Sequence, residues 1–133
     1  MNWDYLAGFF DGDGSINFLL QRNRNVLDFS LDIYQEDASV LRSLRAFLES
    51  EGIMGAEIRM SHRAYEIRWR NKKSILRIAT NLVDRTVVKR QQLQAIIDYL
   101  ESRITGDDFV RVMNEKWFRG GERVLSVSFR LSR

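Results

Sequence analysis

Two aspartates, Asp11 and Asp13, stand among glycines in LAGFFDGDGSINF, residues 6–18, where an apolar run of helical spacing gives way to a strand pattern. A helix C-terminus already carries about half a negative charge on its unpaired carbonyls, so carboxylates there are electrostatically misplaced. They need a cation, or a use that outweighs the cost. The chain has no Cys and a single His, His62, which excludes thiolate sites and histidine clusters. The donors left are oxygens, and oxygen sites suit Mg²⁺, Mn²⁺ or Ca²⁺.

A calcium-binding loop starting at Asp11 would use Asp13 and Ser15 as further ligands. It would also need Gly and Glu where the chain has Ile16 and Arg22. Asp-Gly pairs are, more simply, common turn formers. Against a plain turn stands the spacing of Gly8 and Gly12, four apart on one helix face with Ala7 adjacent. A helix surface stripped of side chains lets a second helix backbone come close.

The elements that must position these carboxylates follow from periodicity. Residues 3–12 read as a short helix, with Leu6, Phe9 and Phe10 to one side and Ala7, Gly8 and Gly12 beside them. From Ser15 the period changes to two. Ile16, Phe18 and Leu20 alternate with Asn17, Leu19 and Gln21, NRN turns the chain, and Leu27, Phe29, Leu31 and Ile33 alternate with Asp28, Ser30 and Asp32. Residues 37–52 return to helical spacing, with Asp37 as N-cap and Gly52 as the stop. A second hairpin follows over 56–61 and 64–70, with Ile58, Met60, Tyr65, Ile67 and Trp69 expected inward. Residues 72–83, 87–103 and 107–118 read as helices, so the order is αββαββα with additional helix. Residues 1–118 are expected to form one domain and 119–133 an extension. In that extension Leu125, Val127, Phe129 and Leu131 alternate like a strand without an obvious partner, so an edge strand and a strand exchanged with a second subunit both stay open.

YLAGFFDGDGSI resembles the signature of the LAGLIDADG homing endonucleases, with Phe9, Phe10 and Gly12 as departures from it. The resemblance implies that family's α+β core, an antiparallel, saddle-shaped sheet with helices on one face, over roughly residues 3–103. It implies two signature helices packed side by side in a homodimer through Leu6, Ala7, Gly8, Phe9 and Gly12. It also implies that Asp13 and the Gly12 carbonyl bind divalent metal at the scissile phosphates. Mg²⁺ is the expected cofactor, with Mn²⁺ able to substitute and Ca²⁺ binding without supporting cleavage. Asp11 takes the family's structural, capping-type position. Gln35 and Lys89 match the places where the family supplies a water-positioning Gln and a basic residue, and Arg90 competes with Lys89 for the second.

The alternation in the two hairpins places Asn17, Gln21, Asn23, Asp28, Ser30, Asp32, Glu57, Arg59, Ser61, Glu66, Arg68 and Arg70 opposite the apolar set. A two-stranded ribbon fits the DNA major groove, where Arg pairs with guanine and Asp or Glu with cytosine. Arg68, Arg70 and Asp28 or Asp32 are therefore expected to read bases, and Lys72, Lys73 and Arg22 to touch phosphate. Charge supports a polyanion partner: the net charge is only +3, yet residues 55–92 hold ten Lys and Arg against three Asp and Glu.

These readings converge on a homodimeric, metal-dependent endonuclease that breaks both strands of a long, near-palindromic site and is encoded in an intron. A non-cleaving relative, acting as an RNA-splicing maturase or a DNA-binding regulator, is the alternative within the family. A dimerisation module with an incidental basic face is the alternative outside it. The chain has no membrane-length apolar run and MNWDYLAG lacks a basic signal region, so the expected place is cytoplasmic, or organellar in a eukaryotic host.

Overall fold

The computed structural model describes residues 1–21, 23, 26–118 and 127–132, with the backbone alone at 61, 115–118 and 127–132. Its elements are α1 (Trp3–Asp13), β1 (Gly14–Gln21), β2 (Val26–Gln35), α2 (Ala38–Ser50), β3 (Glu57–Ser61), β4 (Ala64–Trp69), α3 (Lys72–Leu82), α4 (Arg90–Leu100), α5 (Gly106–Phe118) and β5 (Val127–Ser132). The first seven follow the expected αββαββα order.

Local chemistry sets the element ends. The Asn2 side chain accepts from the Tyr5 N–H to start α1, Asp37 accepts from Ser39 N–H at 2.9 Å to start α2, and Asn71 accepts from Ser74 N–H at 3.1 Å to start α3. Thr105 and Asp108 cap α5 reciprocally, each side-chain oxygen accepting the other's backbone N–H at 3.1 Å. Gly52, just beyond α2, has φ +80°, a left-handed conformation that favours glycine.

The turn from α1 into β1 is forced at Gly14, whose N–H donates to Phe10 O. A Cβ there would stand 2.3 Å from Phe10 Cδ1 and 2.6 Å from Phe10 O. Gly14→Ala is expected to lower stability by about 1–3 kcal/mol through overpacking, read as a lower urea midpoint at unchanged slope.

The sheet order is β3-β4-β2-β1-β5, with antiparallel pairing from β3 through β1. β5 lies parallel to β1 at the edge, Phe129 opposite Phe18, within the same chain; residues 119–126 and 133 lie outside the described residues. One face of the sheet carries the buried Ile16, Phe18, Leu20, Leu27, Phe29, Leu31, Ile33, Ile67 and Trp69. Against it pack Leu6, Ala7 and Phe10 of α1, Leu41, Leu44 and Leu48 of α2, and the apolar sides of α3, α4 and α5. Phe109 of α5 meets Phe18 edge-on and stacks on Phe29, with ring centroids 5.2 and 5.8 Å apart.

Two expectations from spacing are corrected here. Met60, expected inward, is 68% exposed, because the β3–β4 hairpin reaches past the helices that cover the rest of the sheet. Leu6 and Ala7, expected to meet a second chain, are 1% exposed within their own chain's core. The exposed side of α1 carries Gly8 and Gly12, with Tyr5 exposed and Phe9 partly covered.

Candidate active site and nucleic-acid interface

α1 extends one residue further than its periodicity suggests and ends at Asp13, so both aspartates lie in a last turn that holds no basic residue. Asp11 is compensated from elsewhere in the fold. Its carboxylate accepts the backbone N–H groups of Val87 at 2.7 Å, Lys89 at 3.1 Å and Val88 at 3.4 Å. Lys89 is the N-cap of α4 and offers that helix no capping side chain, so Asp11 caps it across the fold. A carboxylate at a helix N-terminus is in the favourable place that a C-terminus denies it. Asp11→Ala is expected to cost about 1–2 kcal/mol, with Asp11→Asn retaining part of it because the amide oxygen still accepts; urea midpoints check both.

Lys89 completes the clasp in the other direction. Its Nζ donates to Asp11 O at 2.9 Å, which satisfies a terminal carbonyl of α1, and it lies 5.9 Å from the centroid of the Phe10 ring. The side chain is nearly enclosed, and burial pulls its pKa below the usual lysine value against the opposing charges of Asp11 and Asp13. Arg90 is engaged elsewhere: its Nε donates to Val83 O at 3.1 Å and Thr86 O at 3.0 Å, closing off the end of α3.

Asp13 is exposed beside the exposed Gly12 and makes no hydrogen bond or ion pair with any described residue. Gln35, at the end of β2, is half-buried, and its Oε1 accepts from the Glu36 N–H at 2.9 Å. Among the described residues no group of three or more His, Cys, Asp or Glu could hold a metal ion within one chain. One protomer thus offers Asp13 and the Gly12 carbonyl, an all-oxygen donor pair that fits a hard divalent cation only when further oxygens come from outside.

The face of the sheet opposite the core carries the expected polar residues, but not all of them are open. On the strands Asp28 and Arg59 are exposed and Asn17 and Gln21 partly covered; Asn23 in the β1–β2 turn, Arg70 just after β4, and Lys72 and Lys73 in the first turn of α3 are exposed as well. Gln21 Nε2 donates to Asp28 at 3.4 Å. Ser30, Asp32 and Glu66, expected to be open to bases, are buried instead. They are roofed by longer neighbours: Arg68 donates Nε and Nη2 to Asp32 at 3.0 and 3.1 Å, Asn17 donates to Asp32, and Arg59 donates Nε to Glu66 at 2.8 Å. Burial pushes the Asp32 carboxyl above its ordinary value, with Arg68 opposing. For Glu66, burial is outweighed by hydrogen bonds from Tyr34 and Arg59, which hold its carboxyl below the ordinary value. Arg22 and the Ser61 side chain lie outside the described residues.

Sequence reasoning missed Tyr34, an exposed phenol whose pKa is pushed up to about 12 by burial of its hydroxyl end and by its bond to Glu66. Its place two residues after Asp32 was the available signal, since alternation puts both on one face.

No curated protein matches the chain significantly. Among solved structures it is similar to the homing endonuclease I-CvuI, in complex with its target in the presence of 2 mM Ca, at 19% identity and a TM-score of 0.62 over 87% of this chain and 75% of that one. The archaeal intron-encoded homing endonuclease I-Vdi141I, complexed with DNA, is similar at 18% identity and TM-score 0.64, over 86% of this chain and 80% of that one. The homing endonuclease I-TnaI is similar at 19% identity and TM-score 0.59, over 87% of this chain and 98% of that one. At such identities the likeness is one of fold. A family model described as LAGLIDADG endonuclease matches residues 6–102, most of the chain and the whole stretch from α1 to the end of α4, and the chain belongs to that family.

Proposed function

We propose that the protein is a homodimeric DNA endonuclease that makes divalent-metal-dependent double-strand breaks in a long, near-palindromic target and is carried by a mobile intron. The observation that carries this reading is the state of Asp13, an exposed carboxylate at the end of α1 that makes no hydrogen bond or ion pair with a described residue. Asp11, two residues before it, is capped by three N–H groups, so of the two aspartates Asp13 is the one open to a cation. The DNA-bound states of I-CvuI and I-Vdi141I, relatives in fold, agree with duplex DNA as the partner.

In the proposed dimer, Asp13 and the Gly12 carbonyl of each chain would hold a divalent cation, which would supply Lewis-acid polarisation and a water of lowered pKa. The Gln35 amide, which now accepts from the Glu36 N–H, would be free on turning to position a water by hydrogen bonding. Lys89 keeps the last turn of α1 in place through the Asp11 carbonyl and contributes positive charge beside Asp13. The exposed polar face of the hairpins enters the major groove, and Lys72 and Lys73 meet the phosphate backbone.

The deciding experiment is selection of cleaved duplexes from a random or genomic library with Mg²⁺. Recovery of one site with inverted-repeat halves is the expected result. Specific binding without cutting in Mg²⁺ or Mn²⁺ would assign the protein to the non-cleaving regulators, and retention of RNA alone to splicing.

A further inference from the structure

Arg59 and Arg68 project from neighbouring strands onto the same face, yet their guanidinium groups are differently committed. The strand register sets two cross-strand rows: Tyr34, Glu66 and Arg59 in one, and Asp32, Arg68 and the exposed Glu57 in the next. Arg68 gives Nε and Nη2 to Asp32 and inclines Nη2 toward Glu66 Oε2 at 3.4 Å, which leaves it Nη1. Asp32 is 0% exposed, with both oxygens occupied by Arg68 and one also by Asn17. Arg59 gives only Nε, to Glu66, and makes no other hydrogen bond to a described residue. Its side chain is 53% exposed while that of Glu66 is 1% exposed.

We propose that Arg59 is the guanine reader of the second hairpin, that Glu66 is its positioning residue, and that Arg68 and Asp32 form a strut beneath them. The inference rests on the DNA-binding reading above. A guanidinium held at Nε keeps its Nη1–Nη2 edge directed away from the carboxylate, and that two-donor edge matches O6 and N7 of guanine. Arg68 has only Nη1 left, and two N–H bonds that diverge from one nitrogen do not make the two-nitrogen fork that matches O6 and N7. Asp32 has no accessible oxygen with which to accept from cytosine. Glu66, 1% exposed and with its second oxygen 3.4 Å from Arg68 Nη2, is held in place and removes rotamer freedom from Arg59 before DNA arrives, so less entropy is lost on binding.

The test uses the full chain and the duplex that it selects from a random library, followed by competition binding against duplexes substituted one position at a time. Arg59→Ala is expected to cut the guanine preference at one position of each half-site by roughly 5- to 150-fold and to leave other positions unchanged. Glu66→Gln keeps the side-chain shape and one acceptor oxygen, so the fold survives. It should reduce the preference at that same position, and add little to it in the Arg59→Ala background. Arg68→Ala should weaken all sequences alike. A guanine preference that follows Arg68 or Arg70 overturns the assignment, as does a Glu66→Gln variant that loses affinity evenly across sequences, the sign of a merely structural carboxylate. A native chain that selects no sequence overturns both this inference and the DNA-binding reading under it.

Discussion

Asp13→Asn will bind target DNA nearly as well as the native protein and cut it at least roughly a hundredfold more slowly. The side chain is exposed and bonded to no described residue, so the exchange removes a metal-ligand charge without disturbing shape or packing. Asp11→Asn is the informative neighbour. It sits in the same helical turn, but its carboxylate serves the N-terminus of α4, so its effect should appear first in unfolding midpoints. Gel-shift titration in Ca²⁺ and single-turnover cleavage in Mg²⁺ separate binding from chemistry. Cleavage at the native rate by the Asp13 variant would overturn the site assignment.

Gly8→Leu should abolish both the dimer and double-strand cleavage while each subunit still folds. A Cβ at Gly8 or Gly12 meets nothing within 4 Å in its own chain, so the new side chain would project where, in the proposed dimer, the partner helix approaches. Leu is also the better helix former, by about 0.8 kcal/mol, which keeps the isolated subunit from losing stability through α1. Sedimentation equilibrium at micromolar concentration reads the dimer directly. The native melting temperature should rise with protein concentration and that of the variant should not. A native monomer that still breaks both strands with a strongly asymmetric footprint would end the dimer reading.

The order of elements was legible because the sequence changes period at identifiable residues. Helical spacing ends at the DGDG glycines, alternation begins at Ile16, and Asp37 and Gly52 bracket α2 with their own cap chemistry. Depth was not legible. Alternation assigns Asp32 and Glu66 to the polar face correctly but cannot show that Arg59 and Arg68, one strand away, lie over them. Nor could spacing decide which side of α1 folds and which pairs. Ala7 and Gly8 are both small, but one residue is about 100° of helix rotation, enough to put Ala7 beside Leu6 and Phe10 in the core and Gly8 outside. The clasp between Asp11 and residues 87–89 joins positions more than seventy residues apart and leaves no local pattern.

That division of α1 bears on rate. The core-facing side of α1 is covered within one chain, so in the proposed dimer assembly would be a collision between two folded bodies. At concentrations below the dissociation constant, the onset of double-strand cleavage in the proposed dimer is second order in protein. Doubling the chain concentration quadruples the number of competent scissors, whereas a chain that carried both helices would respond in simple proportion. On the proposed reading, dosage would then act steeply: a tenfold fall in chain concentration would cut the number of competent dimers about a hundredfold.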